Sequence, residues 1–235
     1  MTAQSILAEL EPLGTASYKR VMMNNHGVKE PCFGVKIGDL QKIRKRIKMD
    51  YRLALDLYAT GNYDAMYLAS LIADDARMTK RDLQRWADGA YGAGLPGAVA
   101  SVAAGSPHGH AMAMKWIDSK KPLIAVTGWA TLSSLVSVKP DAELNLAELK
   151  DLLKRVQQTI HESPDLVRYQ MNMFIIAVGS CVTPLTELAL KTAEKIGKVT
   201  ADMGNNSCEV FSATDYIQKV QKRGTLGKKR KSAKC

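Results

Sequence analysis

The chain has 235 residues, 46% of them hydrophobic, and a formal net charge of +10. That length suits one large domain or two small ones with a sizeable core. No run reaches the roughly 18 uncharged apolar residues of a membrane span, and the opening "MTAQSILAELEPLG" carries acids where a signal peptide carries basic residues, so a cytoplasmic protein with no membrane partner is expected. Apolar residues recur at the helical period nearly everywhere, and no segment sustains strand alternation. The spacing predicts helices near 2–11, 15–24, 37–48, 51–59, 63–74, 79–91, 95–104, 107–119, 121–136, 145–161, 165–180, 184–196 and 212–222. Thr79 precedes a charged helical start, and Ser163, Pro164 and Asp165 read as an N-cap, a first-turn proline and an acid facing the helix dipole. Gly61, Gly105 and Gly197 stand where helices should stop.

The fold class is therefore all-α. Short connections should pair consecutive helices in units of roughly 35–45 residues, the scale of HEAT and armadillo repeats. An α-solenoid of HEAT-like repeats over residues 1–221 is expected, with a plain helical bundle as the alternative.

The positive charge is unevenly placed. From Lys222 onward "KRGTLGKKRKSAKC" holds seven Lys or Arg and no acid, leaving 26 basic and 23 acidic residues, +3, on the remainder. Residues 222–235 cannot bury themselves and read as a flexible basic tail, in which Lys228, Lys229, Arg230 and Lys231 could neutralise phosphates. In the body, "GVKIGDLQKIRKRIK" (34–48) concentrates six cations and one acid. Leu40, Ile43 and Ile47 share one helical face there, opposite Lys42, Lys45 and Arg46, which could meet a nucleic-acid backbone or simply solvate a surface.

Other chemistry finds little support. Cys32, Cys181, Cys208 and Cys235 are widely spaced with no CxxC pair, which suggests neither a zinc site nor a disulfide framework. His108 and His110 lie two apart, on different helical faces, so no metal is expected. "GLPGAV" lacks the lysine and hydroxyl of a phosphate-binding loop. No small-molecule cofactor is implied.

Three stretches resemble the AlkD-like DNA alkylation repair family: "MMNNHGVKEPCFGVKIGDLQKIRKRIK" (22–48), "KWIDSKKPLIAVTGWATLSSLV" (115–136) and "SPDLVRYQMNMFIIAVGSCV" (163–182). The resemblance implies a solenoid of HEAT-like repeats that holds duplex DNA on a concave basic face. It also implies possible excision, as a DNA glycosylase, of cationic purines such as 3-methyladenine and 7-methylguanine, without the usual base extrusion. The family's catalytic aspartate, however, falls in "YGAGLPGAVASVAAGSP" (91–107), which has no acid. Asp88 is the nearest carboxylate. The family arginine falls at Thr127 or Gly128, and its late tryptophan at Phe174. Trp129 or Phe174 could lie against the duplex, and Arg168 with Asn172, four apart on one helical face, could meet a phosphate or a base edge. A monomeric DNA-binding protein is the expectation. A non-catalytic repeat scaffold for protein or RNA is the other reading.

Overall fold

Side-chain oxygens that accept from backbone N–H groups open many of the helices, as local sequence dictates. The computed structural model describes residues 1–204 and 209–234. The helices are α1 (Ala3–Leu10), α2 (Ala16–His26), α3 (Ile37–Ile47), α4 (Tyr51–Ala59), α5 (Tyr63–Ile72), α6 (Lys80–Gly89) and α7 (Leu95–Gly105). They continue with α8 (Gly109–Trp116), α9 (Pro122–Val138), α10 (Leu146–Thr159), α11 (Asp165–Cys181), α12 (Thr186–Ile196) and α13 (Ala213–Lys222). Each matches one of the expected helices, and no strand occurs among the described residues.

Thr79 forms a capping box with Asp82 at the start of α6, while Asp50, Asn62 and Asn145 cap α4, α5 and α10. Gly61 and Gly197 take the positive φ values expected after a helix, 71° and 70°. Gly105 ends α7 for a different reason: a Cβ there would sit 2.4 Å from the Asp75 carboxylate. Ser163 does not cap α11 as expected. Its hydroxyl turns back to the Thr159 carbonyl, and Pro164 takes the cap position without a side-chain bond.

The chain divides into two compact units. The first holds Met1–Met112 and is joined by Gly204 and Lys234; the second holds Ala113–Met203 and residues 209–233. In the first, α4 packs on α5 and α5 on α7, over a core that includes Leu57, Leu68, Ile72, Leu83 and Trp86. Tyr58 stacks on Trp86 with ring centroids 4.2 Å apart and donates its hydroxyl to the Trp86 carbonyl.

In the second unit α9 and α11 form the principal packing pair. Gly128 lets α9 approach the backbone of Ile117, where a Cβ would lie 2.7 Å from the nitrogen. Helix α9 is rich in residues of modest helix propensity, and Thr127, Thr131, Ser133 and Ser137 each return their hydroxyl to the carbonyl four residues back.

The segment expected to be a free basic tail is anchored instead. In the second unit Gly227 N–H donates to the Ser180 carbonyl and Arg230 N–H to the Ser137 carbonyl. The Lys229 ammonium reaches the Val136 carbonyl and Asp141, both at 2.8 Å. Val136 and Ser137 lie in the last turn of α9, where carbonyls lack intrahelical partners and the dipole is negative. A cation seated there explains why the composition does not leave this stretch loose. In the first unit the Lys234 ammonium donates to the Ala73 carbonyl at 2.7 Å and pairs with Asp75 at 2.6 Å. Burial holds its pKa below the ordinary lysine value despite that pairing, and burial likewise raises the Asp75 pKa.

Candidate nucleic-acid interface

Four helix ends of the first unit, none adjacent in sequence to all the others, meet at one place. The chain leaves the C-terminus of α3 and enters α4 through Asp50, whose N–H donates to Ile72 at the end of α5. Tyr51, at the start of α4, donates its hydroxyl to Asp82 in the first turn of α6 at 2.8 Å. The Arg77 guanidinium, between α5 and α6, lies 4.6 Å above the Tyr51 ring.

This end is strongly basic. Lys48, Arg52, Arg77, Lys80, Arg81 and Arg85 are all exposed there. Three of its acids are spent internally, and Asp74 stands half-buried beside them. Asp82 accepts from Tyr51, from the Thr79 hydroxyl at 2.6 Å and from the Thr79 N–H at 3.1 Å. Burial alone would raise its pKa, but those hydrogen bonds outweigh burial and hold it below the ordinary value. Asp50 caps α4 and Asp75 pairs with Lys234.

Two features mark these cations as retained against local preference. Arg52, Lys80 and Arg81 sit in the first turns of α4 and α6, where a cation opposes the dipole at a cost of about 0.3–1 kcal/mol each. Lys48 caps α3 with φ 64° and ψ −134°, a conformation glycine adopts far more readily. Lys48→Gly is expected to raise stability by about 1 kcal/mol by relieving that strain and to weaken polyanion binding; denaturant melts and a binding isotherm on the same variant check both signs.

The cations expected on α3 are partly engaged. Leu40, Ile43 and Ile47 are buried as the periodicity required. Lys42 pairs with Asp39 at 2.8 Å with its side chain 79% exposed, Arg46 pairs with Glu9, and Lys45 is exposed. They flank the basic end without being its centre. Sequence reading missed that centre, although "RMTKRDLQR" (77–85) carries four cations and one acid; its significance depends on Asp82 being occupied.

The residues expected against DNA in the second unit are placed otherwise. Trp129 is 1% exposed and Phe174 fully buried, their rings 5.3 Å apart across α9 and α11. Neither can reach a duplex from there. Arg155 lies 5.7 Å from the Trp129 ring and binds Asp118 and the Ile117 carbonyl. Thr127 and Gly128, at the position of the family arginine, are core residues of α9. Arg168 donates to the carbonyls of His161, Ser163 and Thr200, and buried Asn172 donates to the Phe211 carbonyl at 2.8 Å. This pair ties down the connection from α12 to α13 instead of meeting a phosphate. Lys229 is engaged by Asp141, whereas Lys228, Arg230 and Lys231 are exposed. Asp88 is exposed in the last turn of α6 and accepts from Gln84 at 3.2 Å. Of the cysteines, Cys32 and Cys181 are free; burial pushes the Cys32 thiol up to about 12, leaving it protonated and unreactive. Cys208 and Cys235 lie outside the described residues.

The opposite end of the first unit is built around Asp64. Its carboxylate, on a residue only 3% exposed, accepts the N–H groups of Phe33, Gly34 and Val35 at 2.7, 3.2 and 2.9 Å. The Tyr63 N–H donates to Pro31, and Tyr91 donates its hydroxyl to Gly61. The loop from Val28 to Lys36, the heart of the first resembling stretch, is thereby fixed from the start of α5.

Comparison with known proteins places this fold and its signature loop. The model of a family described as DNA alkylation repair enzyme matches residues 6–202. The chain belongs to that family. Relatives include uncharacterized protein Lin0241 of Listeria innocua and uncharacterized protein Lmo0209 of Listeria monocytogenes. Each is 31% identical over 229 residues, covering 95% of this chain and 99% of the relative. A solved structure covers all of both chains with a TM-score of 0.91 and 38% identity. It is described as belonging to a new family of proteins related to the HEAT-like repeat DNA glycosylases with affinity for branched DNA structures. The helical-repeat architecture expected from helix spacing is the HEAT-like fold of that relative.

Proposed function

We propose that the protein binds DNA through the basic end of its first unit, favours branched structures over linear duplex, and recognises them without excising a base. The observation that carries this reading is the cluster of exposed cations from Lys48 to Arg85, which outnumber the acids around them and among which Asp50, Asp75 and Asp82 are engaged internally. Such a surface attracts a phosphate backbone through counterion release, which is blind to sequence and steep in salt. The affinity of the solved relative for branched DNA supports the choice of target. The absence of any acid in 91–107 and the burial of Trp129 and Phe174 support recognition without excision. Developing positive charge at the sugar would lack the carboxylate best suited to stabilise it.

The test is binding to a four-way junction and to a linear duplex of equal length across a salt series, with release of 3-methyladenine and 7-methylguanine from methylated duplex followed in parallel. Tighter binding to the junction, steep salt dependence and no release are expected. Release of either base would overturn the binding-only reading and make Asp88 the next residue to mutate. Affinity that ignores salt would favour the protein-binding scaffold instead.

A further inference from the structure

Tyr51 and Arg77 form a stack at the basic end whose aromatic member is locked in place. The Tyr51 hydroxyl donates to Asp82 at 2.8 Å. Asp82 is itself fixed by the hydroxyl and the N–H of Thr79, at 2.6 and 3.1 Å. On the backbone side Tyr51 opens α4 directly after Asp50, which caps that helix and bonds to the Ile72 carbonyl. The ring is therefore held at its hydroxyl and at its root, with the Arg77 guanidinium 4.6 Å from its centroid.

Arg77 differs from the arginines that hold the fold together. Arg155 and Arg168 spend their N–H groups on carbonyls and carboxylates. Arg77 is exposed, and among the described residues no hydrogen bond or ion pair engages its guanidinium. Asp75, two residues before it, is taken by Lys234. A guanidinium seated over a ring uses one side for that ring and leaves the other, with its N–H groups, to solvent. Apolar surface is present as well: Met49, 70% exposed, stands in the connection two residues before Tyr51. An exposed cation–π pair on its own is ordinary. This one is set apart by the lock on its ring and by its place among Lys48, Arg52, Lys80, Arg81 and Arg85, where a phosphate backbone is already drawn in.

We propose that Arg77, seated on Tyr51, is the base-stacking platform of the interface and packs against a base face left open at a DNA branch point. The inference rests on the DNA-binding reading above and deepens it by assigning the branch preference to this pair. Guanidinium planes and aromatic rings are the side-chain surfaces on which unpaired bases stack. In linear duplex each base face is covered by the next pair, so the platform meets only phosphates and sugars. At a branch point the pairs that end each arm expose a face, and the Tyr51–Arg77 stack gains a third layer. A lysine at position 77 would neutralise phosphate equally well, but its ammonium has no plane to stack.

The experiment compares the wild type, Arg77→Lys and Tyr51→Phe on a four-way junction and a linear duplex across a salt series. 2-aminopurine placed at the branch point reports stacking there, and the same base at the end of an arm is the control. Arg77→Lys keeps the charge on an exposed side chain, so its melting should coincide with that of the wild type. It should lose about tenfold in junction affinity, the scale of one stacked base, and lose the 2-aminopurine response. Duplex affinity should stay within about twofold, with the salt slope unchanged. Tyr51→Phe keeps the ring but frees it from Asp82, and should lose a smaller part of the affinity, on the junction alone. Unchanged junction binding by Arg77→Lys, or an equal loss on junction and duplex, would reduce Arg77 to a phosphate contact and overturn the platform while leaving DNA binding intact. An equal 2-aminopurine response at the arm end would overturn the branch-point assignment. Failure of the wild type to bind either DNA would overturn the DNA-binding reading itself, and the platform with it.

Discussion

Replacing Arg77, Lys80 and Arg81 together with alanine is expected to lower DNA affinity by about two to three orders of magnitude near 0.1 M salt, and to flatten the log–log salt dependence by nearly three. The magnitude follows from counterion release, in which each neutralised phosphate contributes a slope of about 0.9. The side chains are exposed and their acidic neighbour Asp82 keeps its bonds to Thr79 and Tyr51. Folding should therefore survive. Removing Lys80 and Arg81 from the first turn of α6 should if anything stabilise that helix. Loss of binding with unchanged or raised melting temperature would identify the surface as functional; undiminished affinity would remove it from the interface.

Asp64→Ala should cost about 3–5 kcal/mol of stability. The substitution leaves the N–H groups of Phe33, Gly34 and Val35 without their acceptor in a region where water has little access. Each stranded donor costs about 1–3 kcal/mol, partly recovered by relaxation of the loop. For a chain of this size the expected fall in melting temperature is about 6–20 °C. Asp64→Asn restores one acceptor oxygen but puts an NH2 group against backbone donors, so it should recover only part of the loss. Equal melting of wild type and alanine variant would show that the loop does not depend on this carboxylate. Because Gly34 also seats α2 through Thr15 and Lys19, loosening the loop should reduce hydrogen-exchange protection along α2 first.

The helices were legible because their signals are local. Asp50, Asn62, Thr79 and Asn145 cap residues three or fewer positions away, and the apolar face of α3 follows from a period visible in eleven residues. The site was only partly legible. Lys42, Lys45 and Arg46 stand out as a run, but the basic end draws on Arg52, Arg77 and Arg85 from separate segments, and its net character depends on which acids are consumed. Asp82 looks like any helical aspartate until Tyr51, 31 residues away, is seen bound to it. Asp64 is silent for the same reason, since its donors lie about thirty residues upstream. Aromatic residues at helical spacing read alike whether they face a duplex or a core. Only the close approach of α9 and α11 decided Trp129 and Phe174 for the core. Arg168 misled in a related way: a guanidinium that satisfies three carbonyls is indistinguishable in sequence from one that awaits a phosphate.

The seating of Lys234 on the first unit makes completion of that unit a matter of timing. Its ammonium meets the Ala73 carbonyl across 161 positions of sequence, and Asp75 waits for the same group. At ordinary rates of protein synthesis the lysine is polymerised about 10–30 s after the acid. A nascent chain therefore holds Asp75 without its Lys234 partner throughout that interval. In that interval the first unit, although its helices can form, lacks its last counterion, and ribosome-bound chains should display the unit in a looser, more protease-sensitive state than the finished protein.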